Sequence, residues 1–294
     1  MPPKPVKKNL KAALNRFIDQ KAKADKIKKH QLLESQKKEK PKKVVNIKAV
    51  PFPYSLDDTI LLIGEGNFSF ANSLGKTLDI GSNIIATCLD SEEVVKSKYD
   101  DAEKLINEFK ETGGIVLYEV DGTQLDKVKE IKGKKFTRIV FNFPHAGIKD
   151  QDRNIRVNQV LVRDFFASAV KFLTSCQNGD PTNGEIHLAL KTGKPYDLWN
   201  IKELAKSSTN NSLITKTSFP FLPEKYPGYE HRRTLGFKEG LSVGDNEEIT
   251  SKNPRTYVFS FIPPEDDGAK KKKRSAEIAD ENNDNNIRKS YRRR

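Results

Sequence analysis

The stretch Ile60–Phe70, ILLIGEGNFSF, decides the fold of this 294-residue chain. Four apolar residues end in the turn Gly64–Asn67, and a segment of helical period begins at Phe68. This pattern predicts a buried strand, a glycine turn and a helix. Glycine lets the backbone approach a ligand closely, and a helix start offers unpaired N–H groups. We expect a cofactor at this turn, although a GxG turn alone is equally consistent with a tight connection.

Outward from this stretch, short β-branched runs alternate with longer segments of helical period. The predicted strands are Ile60–Ile63, Ile84–Leu89, Ile115–Glu119, Arg138–Asn142, Glu185–Leu190, Leu213–Ser218 and Thr256–Ile262. The strongest helix signal is Asn154–Cys176, in which Val157, Val160, Leu161, Phe165, Ala169 and Phe172 recur on one side. The alternation predicts an α/β fold with a seven-stranded, mostly parallel, Rossmann-like sheet.

The net charge of +13 resides in the ends of the chain. Residues 1–48 carry a net charge of +12 and residues 265–294 a net charge of +3, which leaves the middle slightly acidic. The lysine-rich ends have too few apolar residues to offset the entropy of ordering, so we expect disordered basic tails. The domain between them is predicted to span residues 49–264. Basic tails are typical of nucleic-acid partners, and they also occur as solvated extensions.

Several classes of protein are disfavoured by the composition. No run approaches the roughly 18 apolar residues of a membrane span, and the N-terminus lacks the apolar block of a secretory signal, so no membrane association is expected. The cysteines, Cys88 and Cys176, are isolated in apolar surroundings and are predicted to be buried. With four scattered histidines, no metal site is expected.

Two acids follow the next two predicted strands. Asp90 lies 24 residues after Gly66, where a carboxylate typically accepts hydrogen bonds from ribose hydroxyls. Asp121 follows the third strand and is placed to meet the edge of an adenine. Three consecutive strand ends would then line one nucleoside, although each acid is also a reasonable helix cap.

The glycine pattern favours one nucleoside cofactor over others. A dinucleotide fingerprint requires a third glycine where this chain has Ser69, and Gly75-Lys76-Thr77 lacks the preceding glycine of a phosphate-binding loop. S-adenosylmethionine has no phosphates to bind and fits better. The predicted cofactor-binding residues are Gly64, Glu65, Gly66, Asn67, Phe68, Ser69, Asp90, Asp121 and Asn142.

The fourth strand ends in Asn142-Phe143-Pro144-His145, which loosely resembles the Asn-Pro-Pro-aromatic motif of enzymes that methylate nitrogen. Asn142 is suited to orient an amide-like base edge, and Phe143 to stack on a base. The same residues are consistent with an ordinary exit from a strand. Carbon-5 methylation of pyrimidines is disfavoured because neither cysteine is near the end of this strand. Ribose 2′-O methylation would favour an acid at position 142, although Lys191 resembles part of the lysine–acid–lysine set used there.

Five motifs in one order resemble the eukaryotic, fungal-type 25S rRNA uridine-N3 methyltransferase family, over about residues 58–262. They are LLIGEGNFSFA, FNFPHAG, NQVLVRDFFASA, GEIHLALKTGKPYDLWNI and FPFLPEKYPGYEHRRT. The chain departs from generic class I methyltransferases at Leu62 and Phe68, where those enzymes carry an acid and a third glycine. The resemblance implies formation of N3-methyluridine in large-subunit rRNA or a pre-ribosomal particle. It also implies a nuclear, nucleolar location, and nothing in the sequence suggests more than a monomer.

Uridine N3 carries a proton at neutral pH, so some group must help to remove it. Asn142 and His145 are the predicted catalytic residues, with the imidazole as a hypothetical base and a packing role as its alternative. The remaining motifs predict an RNA-binding side that mixes cations with aromatic rings. The predicted substrate-binding residues are Phe143, Lys191, Tyr196, Trp199, Tyr229, His231, Arg232 and Arg233. Each is also consistent with a solvated loop or a core position.

Two other classes of function remain open from the sequence. A catalytically silent ribosome-assembly factor would keep the same fold and tails without turnover. A nicotinamide dehydrogenase would share the glycine turn, but the missing third glycine argues against it.

Overall fold

The computed structural model describes residues 47–147, 151–233 and 246–262. The chain divides into two units, residues 1–49 and 50–294. Of the first unit, the structure describes a short 3-10 turn at Ile47–Ala49. The remainder of the predicted N-terminal tail and the whole predicted C-terminal tail, residues 265–294, lie outside the described residues.

The larger unit contains one seven-stranded sheet in the order β3-β2-β1-β4-β5-β7-β6. Its strands are β1 (Ile60–Ile63), β2 (Ile84–Thr87), β3 (Ile115–Leu117), β4 (Arg138–Asn142), β5 (Glu185–Leu190), β6 (Leu213–Pro220) and β7 (Arg255–Phe261). The first five strands run parallel, and β7 inserts antiparallel between β5 and β6. The predicted α/β fold with a seven-stranded, mostly parallel sheet is confirmed.

Strand β1 lies in the interior of the sheet and is buried on both faces. Leu61 and Ile63 belong to one core cluster, with Phe165 and Phe166, whereas Ile60 and Leu62 belong to the other. Its neighbours are β2 on one side and β4 on the other. The strand order therefore reverses direction at β1, which is where open α/β sheets bind ligands at their carboxyl edge.

In the part of the chain that the structure describes, six α-helices connect or cover the strands. They are α1 (Ser69–Leu78), α2 (Glu92–Lys98), α3 (Ala102–Glu111), α4 (Gln151–Ala169), α5 (Ile201–Ser208) and α6 (Glu247–Thr250). Among the described residues, none of these helices has both the length and the apolar character needed to cross a bilayer.

Strands β2 and β3 end before their predicted bounds. Strand β2 ends at Thr87 and not at Leu89, whose side chain is 67% exposed. Strand β3 ends at Leu117, and Glu119 turns into a left-handed conformation with φ 56°. The apolar run in the sequence continues beyond the last residue that pairs with a neighbouring strand. Leu89 is apolar but lies at the carboxyl edge of the sheet and not in the core.

Helix α4 also differs from the prediction. It ends at Ala169, a 3-10 turn covers Val170–Phe172, and the chain then becomes extended at Leu173. Cys176, predicted to be buried, is exposed beyond this turn, whereas Cys88 is buried as predicted. The predicted apolar face was wrong at Val160, which is 46% exposed, because the buried face runs through Val162, Phe165 and Phe166.

We predict that Phe165→Ala lowers the free energy of unfolding by about 3–5 kcal/mol, because it leaves a cavity in the core. Val160→Ala on the opposite face of the same helix is expected to change it by less than about 0.5 kcal/mol. Denaturant unfolding of both variants measures the difference. Equal losses would contradict the assigned face of α4.

Candidate active site

A cavity of about 380 Å³ opens at the carboxyl ends of β1, β2 and β4. The predicted site residues that line it are Gly64, Glu65, Gly66, Asn67, Ser69, Asp90, Asp121, Asn142, Phe143, His145, Tyr229, His231 and Arg232. Sequence reasoning missed the apolar and aromatic part of the lining, which includes Leu89, Tyr99, Val120 and Leu161. The apolar residue directly before Asp90, Leu89, was the available sequence signal for an apolar contact at this edge.

The glycine turn requires its glycines for space as well as conformation. Gly64 has φ +70°, and a Cβ built on it would lie 2.5 Å from the ring of Phe141. A Cβ on Gly66 would lie 3.1 Å from Cβ of Arg232. The N–H of Glu65 donates to the carbonyl of Thr87 at 2.8 Å, which fixes the turn against β2. A larger residue at Gly64 would be strained and would clash with β4.

Glu65 directs its carboxylate to the start of α1. Its Oε2 accepts a hydrogen bond from the N–H of Ala71 at 3.2 Å, within the first turn of the helix. Burial raises the pKa of Glu65 to about 7, and the hydrogen bond from Ala71 offsets only part of this effect. Near neutral pH, Glu65 therefore exchanges between its neutral and its ionised form inside the cavity.

The two acids after β2 and β3 both reach the cavity and both have protein partners. Asp90 forms an ion pair with Lys98 at 2.5 Å. Asp121 accepts hydrogen bonds from the N–H and the hydroxyl of Thr123, at 2.9 and 2.7 Å. Asp121 thus stabilises a local turn and also lines the cavity. Its predicted role as a cofactor contact and its alternative role as a capping residue are therefore compatible.

Phe68 does not line the cavity, and its prediction as a cofactor-binding side chain is corrected. The residue has φ 62° and its ring is fully buried, 6.0 Å from the ring of Tyr118. Asn67 is also buried, where its amide oxygen accepts from the N–H of Ser69 at 3.2 Å. Phe68 anchors the start of α1 in the core, and Asn67 shapes the turn around it.

The end of β4 turns sharply out of the sheet. Phe143 has φ 52°, an uncommon conformation for a bulky residue, while its N–H still donates to the carbonyl of Ala189 at 2.9 Å. This turn directs Phe143, Pro144 and His145 into the lining. The side-chain nitrogen Nδ2 of Asn142 is buried there without a hydrogen-bond partner among the described residues.

His145 is held by contacts at both ring nitrogens. Its Nδ1 accepts from the N–H of Gly147 at 2.8 Å, and its Nε2 lies 3.1 Å from Nδ2 of Asn154. Burial lowers the pKa of His145, and the positive charges of Lys191 and Arg233 lower it further. The imidazole is therefore neutral at pH 7, and action as a base requires one of these contacts to open.

A second cavity, of about 90 Å³, adjoins the first and shares part of its lining. The residues that line both are Phe143, Pro144, His145, His231 and Arg232. Of these two cavities, only the second is lined by Lys191, Tyr196 and Arg233, together with Glu248, which sequence reasoning missed. Lys191 and Tyr196 also line a separate cavity of about 330 Å³. Nζ of Lys191 donates to Oε1 of Glu248 at 2.8 Å. Six of the eight predicted substrate-binding residues thus meet in one small space.

The other two predicted substrate-binding residues have different surroundings. Trp199 is fully buried in the core beside Tyr196 and is unavailable to RNA, so this prediction was wrong. Tyr229 is 8% exposed and packs on Phe70 with ring centroids 5.6 Å apart, although it also lines the larger cavity. Sequence alone does not distinguish a stacking ring from a core ring when both follow a strand.

Residues 229–233, here called the strap, cross over the glycine turn. Ser69 and Glu230 exchange two hydrogen bonds, of 3.0 and 3.1 Å, through the serine hydroxyl. Arg232 forms an ion pair with Asp101 at 2.8 Å, and the same carboxylate oxygen accepts from Asn67 at 2.9 Å. The strap therefore closes one side of the larger cavity with polar contacts to α1 and α3.

No group of three or more histidines, cysteines, aspartates or glutamates suited to hold a metal ion occurs in the described part of the chain.

We predict that Glu65→Gln stabilises the ligand-free protein at pH 8 by about 1–3 kcal/mol but not at pH 5. The folded pKa of about 7 lies above the ordinary value of 4.5, so wild type loses stability as pH rises through this range. Thermal unfolding at both pH values tests this. Glu224→Gln, an exposed control, is expected to show no such dependence. An equal gain from Glu65→Gln at both pH values would be inconsistent with a buried carboxylate.

Comparisons with known proteins agree with this arrangement. The model of the BMT5-like family, described as rRNA (uridine-N3-)-methyltransferase, matches residues 61–233. Heavy metal-associated isoprenylated plant protein 41 of Arabidopsis thaliana is 38% identical over 186 residues, which are 62% of this chain and 34% of that protein. The chain thus spans about a third of this relative.

A yeast relative is covered more fully. The 25S rRNA (uridine(2634)-N(3))-methyltransferase of Saccharomyces cerevisiae is 33% identical over 256 residues, with 71% of this chain and 74% of that enzyme covered. A solved 30S ribosomal A1408 methyltransferase from an uncultured bacterium matches with a TM-score of 0.40 at 12% identity, covering 70% of this chain and 88% of that one. A structural likeness at that level carries no functional argument. The family model spans the glycine turn, the end of β4 and the strap, and the chain belongs to the BMT5-like rRNA (uridine-N3-)-methyltransferase family.

Proposed function

We propose that the protein transfers a methyl group to N3 of a uridine in large-subunit rRNA, within a pre-ribosomal particle in the nucleolus. The observation that carries this proposal is the pair of adjoining cavities in a member of this family. One cavity lies at the switch point of the sheet, and the other is lined by cations and aromatic rings. A cofactor and a nucleobase placed in them would meet at Phe143 and His145.

The cofactor is S-adenosylmethionine, which supplies a methyl group bound to a positively charged sulfur. The residues present fit this molecule. Asp90 offers a carboxylate to the ribose hydroxyls, Asp121 lies at the next strand end, and the unpartnered amide nitrogen of Asn142 is a free donor. Gly64 and Gly66 line the cavity, and without side chains they expose their backbone to a ligand.

The second cavity suits an RNA base. Phe143 and Tyr196 offer ring surfaces, while Lys191, Arg232 and Arg233 offer donors for carbonyl oxygens and phosphates. Burial lowers the pKa of His231 to about 4, assisted by the charge of Lys191, so this imidazole is neutral. Its ring packs edge-on against Phe143 at 5.0 Å, which restrains the ring that would stack on the base.

The chemical difficulty lies in the proton on uridine N3. Its pKa lies about two units above neutral, so about 1% of the base is ionised, a deficit of roughly 3 kcal/mol. Two effects can reduce this deficit: a base that takes the proton, or cations that stabilise the ionised base. Positioning of N3 against the methyl carbon contributes independently of either.

The proposed function predicts that the purified protein forms N3-methyluridine when it is incubated with unmodified large-subunit rRNA and isotopically labelled S-adenosylmethionine. Mass spectrometry of the digested nucleosides distinguishes this product from 2′-O-methyluridine. Asp90→Ala is expected to weaken cofactor binding by roughly 10–100-fold through loss of a charged hydrogen-bond acceptor.

Asp100→Ala, which removes an exposed carboxylate ten residues away, is the matched control and should bind the cofactor like wild type. A 2′-O-methylated product, or cofactor binding without turnover on rRNA and on pre-ribosomal particles, would refute the proposed function.

His145→Ala tests the imidazole as the base. If the imidazole accepts the N3 proton, turnover of the variant falls by roughly 10²–10⁴-fold, and its pH–rate profile differs in shape from that of wild type. Steady-state rates between pH 6 and pH 9 measure this. A profile that parallels that of wild type would exclude the base role and leave His145 as a residue that holds the loop after β4.

A further inference from the structure

Lys191 stands out among the cations of the second cavity because it is the least exposed. It follows the last residue of β5, and its side chain is 10% exposed. The side chains of Arg232 and Arg233 are 32% and 31% exposed. A charge interacts more strongly with its surroundings where water is excluded, so Lys191 has the largest effect on an occupant of this cavity.

The surrounding charges leave Lys191 available to such an occupant. Arg232 is matched by Asp101 at 2.8 Å and by Glu230 at 2.7 Å, neither of which lines the second cavity. Glu248 faces both Lys191, at 2.8 Å, and Arg233, at 3.9 Å. One carboxylate therefore serves two cations, and the ammonium of Lys191 has donors left after its bond to Glu248.

The positive charge of Lys191 also affects the pKa values of two histidines in the lining. After burial, the charge of Lys191 is the next largest cause that lowers the pKa values of His145 and His231. Burial raises the pKa of Tyr196 in the same lining. The pKa of Glu248 is lowered, because its hydrogen bond to Lys191 and the charges of Lys191 and Arg233 outweigh the effect of burial. Burial disfavours a charge of either sign, so it is the positive charge of Lys191 that favours an anionic occupant in this cavity.

We propose, resting on the proposed function, that Lys191 is a catalytic residue that donates a hydrogen bond to an exocyclic oxygen of the target uracil and stabilises its N3-deprotonated form. Glu248 is then a positioning residue that holds the ammonium at the end of β5. Arg233 on the far side of Glu248 restrains that carboxylate.

The chemistry balances without a dedicated base. The N3–H bond breaks and its proton passes to water, which leaves a negative charge shared by N3, O2 and O4. N3 then forms a bond to the methyl carbon, whose bond to sulfur breaks with the electron pair left on sulfur. The products are a neutral N3-methyluridine, a neutral thioether and one released proton. A donor on O2 or O4 stays in place throughout, whereas a base aimed at N3 would have to leave before the methyl group arrives.

Lys191→Met tests the inference by measuring how its loss of turnover depends on pH and on the acidity of the N3 proton of the substrate. Loss of one donor to a developing oxyanion typically costs roughly 10²–10³ in turnover, and we expect such a loss at pH 7. The deficit should shrink as pH rises toward the pKa of free uridine, because hydroxide then supplies the ionised base. It should also shrink on rRNA transcripts made with 5-fluorouridine, whose N3 proton is more acidic.

Binding gives a readout that does not depend on turnover. Fluorescence anisotropy at pH 8, without cofactor, compares transcripts that contain uridine with transcripts that contain 5-fluorouridine. Wild type should prefer the fluorinated RNA, since more of its base is anionic, and Lys191→Met should lose this preference. Lys206→Met, an exposed lysine on α5, is the control and should behave like wild type in every assay. Lys191→Arg, which keeps the charge, should retain part of the activity.

Thermal unfolding and cofactor binding of Lys191→Met establish that the variant is folded. The inference is overturned if Lys191→Met matches wild type, or if its loss is the same at every pH and on both transcripts, since a purely structural or binding role gives that result. If wild type itself forms no N3-methyluridine, the proposed function fails first and this inference falls with it.

Discussion

Burial of β1 on both faces is the constraint on which the rest of the structure depends. Its four residues are 0–3% exposed and alternate between two core clusters, so a shift by one residue would exchange every contact. The strand therefore ends at a fixed height in the sheet, and the chain must leave it at Gly64. Every candidate ligand contact, from the turn to the strap, is positioned relative to that exit.

The candidate site lies where strands β1 and β4 end and the following turns are held by side-chain contacts. Phe68 and Phe143 both adopt left-handed conformations at such points, and each is held by packing, Phe68 against Tyr118 and Phe143 against His231. Local strain of this kind persists only where surrounding contacts fix the backbone. These ring contacts offset the free-energy cost of the two left-handed conformations. As a result, the chain after β4 turns so that its residues line the cavity.

The sequence allowed much of the scaffold to be predicted and less of the site. Strands β1, β4 and β5 have the predicted bounds because they are mostly buried and end at, or directly before, a polar or glycine residue. Phe68, Trp199 and Val160 were misassigned because residue type does not reveal which side of an element faces the core. The pair Lys191–Glu248 joins residues 57 positions apart and depends on tertiary packing, so no local pattern contains it.

Five residues line both cavities, and this shared wall has a thermodynamic consequence. A ligand that moves Phe143, His145 or Arg232 on entering one cavity alters the shape and charge of the other. Linkage makes such an effect reciprocal: a cofactor that strengthens RNA binding by some factor is itself bound more tightly on RNA by the same factor. If a ligand moves this wall, occupancy of the two cavities becomes one coupled equilibrium, and conversion of the methyl donor to its demethylated form then changes the affinity for the modified RNA.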